Sequence, residues 1–185
     1  MKKFATVAMA LACAVCLAGS AWGDDARDEL AKVSEAYCAS TASQAITPQL
    51  VVEKVKAAAE LLNAEGSASF SKFMGNGSEF IFGGTYIAIF NMDAVMLMHP
   101  VMNKMEGREL MSLQDVNGKR FFVEFISAAK DGGGWVEYMW PKPGSKEPVR
   151  KVTYGYPAKV DGKEVVVSCG IYDLTDETLA TLNAR

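Results

Sequence analysis

Two rhythms of apolar positions divide the chain. Residues 24–39 contain no Gly or Pro, and Leu30, Val33 and Tyr37 recur at helical spacing, which predicts a first helix. Thr47-Pro48 sets a capping hydroxyl before a proline at the first helical position. The helix opened there should run from Pro48 to Ala64. Leu50, Val51, Val55, Ala58, Leu61 and Leu62 form its apolar stripe, Glu53, Lys54, Lys56 and Glu60 face away, and Gly66 ends it. Residues 66–84, rich in Gly, Ser and Asn, read as loop with a short helical turn around Phe70.

From Thr85 the pattern shortens to strand-length blocks. Thr85–Asn91 is a compact apolar strand, Met92-Asp93 a turn, and Ala94–Met98 the returning strand. Asp115–Gly118 is a turn. Lys119–Lys130 reads as a helix carrying Phe122, Phe125, Ile126 and Ala129 on one side, closed by Asp131 and three glycines. Three strands follow: Trp135–Trp140, Val149–Tyr156 and, after the Asp161-Gly162 turn, Glu164–Tyr172. Hairpins dominate and no strand–helix–strand rhythm exists. The pattern predicts an α+β domain, with helices covering an antiparallel sheet.

The N-terminus changes the expected compartment. Lys2 and Lys3 precede an apolar run from Phe4 to Ala18, and Ala21 and Gly23 suit the −3 and −1 positions of a cleavage site. This is the layout of a secretory signal peptide over residues 1–23, too short for a comfortable membrane span. Its removal from 185 residues leaves 162, enough for one domain at 24–185. The expected localisation is periplasmic or secreted, with no membrane span after cleavage. The leader takes two of the 19 basic residues and none of the 22 acidic ones, so the remaining charge is −5. Scattered lysines on an acidic chain argue against nucleic-acid binding, which needs clustered cations. Cys13 and Cys16 leave with the leader. For Cys38 and Cys169 two readings stay open, one disulfide or two buried thiols.

A series of short motifs in the second half resembles the single Cache domains, extracytoplasmic sensor modules with a PAS-like fold. The stretches are Tyr86-Ile-Ala-Ile-Phe-Asn-Met-Asp93, His99-Pro100, Gly107, Asp115-Val-Asn-Gly118, Gly134-Trp-Val-Glu-Tyr-Met-Trp-Pro141, Pro143-Gly144, Lys151-Val-Thr-Tyr154 and Cys169-Gly-Ile-Tyr172. They keep the family's order across residues 80–173. The resemblance implies a long N-terminal helix on a five-stranded antiparallel sheet, and a pocket for a small carboxylate or amino acid on the sheet's other side. It also implies signalling through a membrane receptor or histidine kinase. Two departures stand out. Asp161-Gly-Lys-Glu164 replaces the tryptophan often found before the last strand, and the chain ends soon after Leu182, as expected of a free-standing member.

The candidate ligand residues are His99, Tyr138, Trp140, Lys151, Tyr86 and Tyr154, with Asp93 and Arg150 in reserve. His99 is the sole histidine, and it reads either as a pocket hydrogen-bonding group or as a structural imidazole at a strand end. Strand alternation puts Tyr138 and Trp140 on one face and Trp135 on the other. Lys151 and Tyr154 fall on opposite faces of the next strand. Lys151 could neutralise a carboxylate or pair across the hairpin with Glu137, a choice that depends on register. Met92, Met96, Met98, Met102, Met105 and Met111 crowd the middle of the chain. With His99 they offer an alternative function, periplasmic Cu(I) binding, against a second reading as core filler. No catalytic motif is present: there is no glycine-flanked serine elbow, no His-Glu-x-x-His and no second histidine. The expectation is a binding module without a cofactor.

Overall fold

The computed structural model describes residues 24–142 and 145–183, so the expected leader lies outside the described residues. Helix α1 spans Asp24–Ser40 and α2 spans Pro48–Glu65. Thr47 caps α2 as its sequence foretells: its hydroxyl accepts from the Leu50 amide, and Gly66 closes the far end at a φ of 60°. A 3-10 helix over Gly66–Phe73 follows. The strands are β1 Ile81–Phe82, β2 Thr85–Asn91, β3 Met96–Met98, β4 Gly134–Pro141, β5 Pro148–Val160 and β6 Lys163–Tyr172. Helix α3 spans Phe121–Lys130 and α4 spans Asp176–Asn183. Among the described residues no helix is long and apolar enough to cross a membrane.

The sheet is antiparallel, in the order β1-β2-β6-β5-β4, with β3 paired only to β2. All five expected strands form, but the second of them, β3, is a short side arm, and the fifth place in the continuous order is taken by β1. Two cores form on its faces. On one, Val51, Val55, Ala58 and Leu62 of α2 pack against Ile87, Ile89, Val165 and Val167. On the other, Phe121, Phe122, Phe125 and Ile126 of α3 pack against Phe90, Val136, Tyr138 and Val166. A register shift between Ile89 and Phe90 sets Met98 opposite Ile89 but Met96 opposite Phe90. The two methionines, which plain alternation would put on one face, therefore join opposite cores.

Besides shifts at strand ends, such as β5 running on past Tyr156 to Val160, the structure departs from the sequence reading at α3, β1 and α4. Helix α3 starts at Phe121, not Lys119, because the Asp115 carboxylate accepts from the Asn117 and Lys119 amides and holds that stretch as a turn. The two-residue strand β1 lies inside the stretch read as loop. Helix α4 was not expected, although Thr175, Asp176 and Glu177 are a start signal: the Thr175 hydroxyl accepts from the Thr178 amide.

Candidate functional site

The site is built on the α3 face of the sheet. Antiparallel pairing sets Tyr138 of β4 directly opposite Lys151 of β5, and Glu137 opposite Val152. The Glu137–Lys151 pair is therefore not formed, and Lys151 shares its face with Tyr138 and Trp140 instead. Two residues on, Thr153 points the same way, and its hydroxyl lies 3.2 Å from the Tyr138 hydroxyl. Tyr138 is held flat against Phe121, with ring centroids 4.3 Å apart. From β6 the same face receives Ser168 and Gly170, from β2 Tyr86, Ala88 and Phe90, and from the loop after β3 His99, Met102 and Met105.

These residues line a cavity of about 60 Å³. At roughly 10–15 Å³ per water-sized sphere, that is room for about four to six non-hydrogen atoms. Its lining is not uniform. Phe90, Phe122 and Phe125 pack ring to ring in one part of the lining, with Met96 also in the wall, while Tyr86 gathers His99 and Lys151 in another, with Thr153 a further polar group; among the described residues no Asp or Glu lines it. A much larger cleft of about 910 Å³ adjoins it, sharing Tyr86, Met102, Trp140 and Gly170 and reaching Glu35, Lys142 and Asp173.

Lys151 is the electrostatic centre. It is 8% exposed, and its Nζ lies 4.9 Å from the centre of the Tyr172 ring and 5.9 Å from that of Tyr86. Ring faces stabilise the ammonium only in part. Among the described residues no carboxylate forms an ion pair with it. Burial lowers its pKa from 10.5 to about 8. Room for the side chain comes from Gly170: a Cβ there would stand 2.2 Å from Lys151 Cε.

His99 is 6% exposed and tilted on the Tyr86 ring at 4.9 Å. Its Nδ1 accepts from the Met102 amide at 2.9 Å, which leaves the proton on Nε2. Burial first, and then the Lys151 charge, push its pKa down to about 3. The imidazole is thus neutral near pH 7 and a donor through Nε2.

The other expected residues stand elsewhere. Tyr154 lies opposite Trp135 in register, on the α2 face, and packs there at 5.1 Å between ring centres. It does not line the cavity, because three residues along a strand from Lys151 is the opposite face. Asp93 is exposed in its turn. Arg150 points to the C-terminal segment, pairing with Asp176 and donating to the Leu174 carbonyl. Cys38 and Cys169 are both buried and unbonded. The Cys38 thiol donates to the Thr85 carbonyl at 3.8 Å and Cys169 Sγ lies 3.7 Å from the Thr85 hydroxyl, so Thr85 contacts both sulfurs and no bridge forms. Burial pushes their pKa values up to about 11 and about 12, which makes both poor nucleophiles. Sequence reasoning missed Thr153, Ser168 and Gly170, although same-face spacing from Lys151 and along β6 carried the signal.

Residues 40–183 match the model of the single Cache domain 2 family, well over half of the chain. The chain belongs to this family. Among solved structures, a Cache chemosensory domain described for its carboxylic acid recognition superposes with a TM-score of 0.53 at 27% identity, covering 67% of this chain and 88% of that one. The methyl-accepting chemotaxis protein McpP of Pseudomonas putida is 37% identical over 70 residues, 37% of this chain and 13% of the receptor. The sensor histidine kinase MctS of Rhizobium johnstonii is 29% identical over 87 residues, 47% of this chain and 18% of the kinase. The matched stretches are thus under a fifth of those relatives' length. This Cache domain is a ligand-binding sensor module, homologous to sensor domains of chemoreceptors and histidine kinases.

Proposed function

We propose that this Cache domain binds a small monocarboxylate of two to four carbons, with the carboxylate at Lys151 and His99 Nε2 and the alkyl end among Phe90, Phe122 and Phe125. The observation that carries this reading is the buried, unpaired Lys151 ammonium facing a small cavity. A buried cation without a counter-ion calls for an anion. An amino acid fits less well, because its ammonium would meet no acidic side chain, and a dicarboxylate would press its second charge onto phenylalanine. The solved Cache relative that recognises carboxylic acids supports the class.

Cu(I) is the second reading, since Met96, Met102, Met105 and His99 all line the cavity. The Lys151 ammonium in the same small space repels a metal cation and favours the carboxylate. Thermal unfolding and titration calorimetry against acetate, propionate, butyrate, alanine and Cu(I) test the choice. Propionate should raise the midpoint in proportion to the logarithm of its concentration once above Kd. A response to Cu(I) alone would overturn the carboxylate reading. Export by cleavage after Gly23, and delivery of the signal to a membrane receptor or histidine kinase, complete the proposal. The N-terminal sequence of the exported protein tests the cleavage.

A further inference from the structure

The segment between β3 and Gly107 covers the cavity, carrying His99, Met102 and Met105 into its wall. One carboxylate ties it at the histidine itself. Glu106 Oε1 accepts at 2.8 Å from the backbone amide of His99, the residue whose imidazole lines the cavity. The same carboxylate receives Arg27 from the first turn of α1: Nε donates to Oε2 at 3.2 Å, and a second guanidinium nitrogen donates to Oε1. Next to Arg27, Asp28 accepts from the Asn103 side-chain amide. Two adjacent residues of α1 thus grip the segment that carries the histidine.

This ion pair differs from the others. Its side chains are 14% and 22% exposed, whereas every other ion pair among the described residues has at least one side chain above 45%. A shielded bidentate pair keeps an attraction that water would screen at the surface. The first turn of α1 offers little apolar anchoring beside it: Asp25, Ala26 and Glu29 are exposed, and the first buried residue of the helix is Ala31. Arg27 also touches Met74 Sδ and Leu30 packs on the core one turn on, but the turn is placed mainly by polar contacts, which shift without uncovering core.

We propose that Glu106 is a positioning residue for His99, and that its ion pair with Arg27 couples occupancy of the cavity to the first turn of α1. The inference rests on the carboxylate reading of the cavity. An anion drawn to His99 Nε2 pulls on the imidazole; the His99 amide carries that pull to Glu106, and Arg27 carries it to the helix.

Calorimetry with sodium propionate, paired with amide hydrogen exchange, tests it on the purified protein. In the wild type, propionate should slow exchange over residues 99–106 and also over residues 25–31. Glu106→Ala should weaken binding by about tenfold or more, the scale of a hydrogen bond to a charged group. Glu106→Gln keeps an acceptor for the His99 amide, so binding should return to within about threefold while α1 stops responding. Arg27→Met should bind within about threefold of the wild type and also lose the α1 response. If Glu106→Ala does not fold, the Gln and Met variants carry the test. Wild-type affinity in Glu106→Ala overturns the positioning role, and α1 exchange indifferent to propionate in the wild type overturns the coupling. Lys151→Met separates the two levels: full propionate binding there means the cavity itself is misassigned, and the proposal falls with it. Binding lost in Lys151→Met but kept in Glu106→Ala sinks the role of Glu106 alone.

Discussion

At Lys151 a charged amine stands among two tyrosine rings, two thiols and a neutral histidine. Its pKa of about 8, against 10.5 in the open chain, corresponds to roughly 3 kcal/mol of cost to the folded state. The unfolded chain binds the extra proton between those two values, so the cost is full below pH 8 and fades as pH climbs toward 10.5. Lys151→Met should therefore melt at a higher temperature than the wild type at pH 7 while losing propionate binding by at least about a hundredfold. Differential scanning calorimetry and titration calorimetry on the same samples check both halves. The pH dependence of binding has the opposite sign. A bound anion raises the Lys151 pKa, so affinity should be level from about pH 6 to 8, where propionate is ionised, and fall by up to about tenfold per pH unit above it. His99 adds an acid limb. Its pKa is about 3 when folded and 6.5 when free, so the unliganded protein should lose stability as pH drops below 6.5. Melting curves from pH 4 to 10 would show both limbs. Part of this residue-level picture was readable in advance. Alternation alone put Tyr138 and Trp140 together and Tyr154 opposite Lys151. It could not choose Tyr138 or Glu137 as the neighbour of Lys151, because that choice turns on a slip of one residue in the hairpin.

Among the elements, those with strong local signals were legible and those made by tertiary contact were not. Helix α2 has its cap, its proline and its apolar stripe in sequence, and β2 its unbroken run. Strand β1 has two residues and exists through its pairing with β2. The start of α3 is not legible in sequence because a side chain, not a propensity, decides it. Asp115 uses one oxygen to hold the turn before α3 and the other to accept from the Met139 amide on the edge strand β4. Those backbone donors hold its carboxyl below the usual range. Met139 sits between Tyr138 and Trp140, so Asp115 fastens the turn that precedes α3 to the strand bearing the aromatic wall. It also occupies a donor that an edge strand would otherwise offer to another chain. Asp115→Ala should lower the melting midpoint and weaken propionate binding together, with Asp115→Asn recovering part of each, since its side-chain oxygen still accepts. Circular dichroism melts and calorimetry read the outcome.

Over the whole molecule, one sheet serves two cores. Ile87 and Ile89 of β2 face α2, while Ala88 and Phe90 of the same strand face the cavity and α3. Fold class followed from the hairpin-rich order of elements, and the family from the string of motifs. The meeting of His99, Tyr138 and Lys151 did not. It needs β2, β6, β5 and β4 in that lateral order, and contacts over tens of residues leave no periodic trace in a single sequence. Neither did the sorting of the methionines, which a register shift in β2 divides between the two cores.

The threonine wedged against both sulfurs has a consequence for how the protein is made. With Cys38 and Cys169 as separate thiols, the fold is held together without a crosslink between them. Material produced in a reducing cytosol and material recovered from an oxidising one should melt at the same temperature with or without dithiothreitol, and each should yield two titratable thiols per chain of residues 24–185 once denatured.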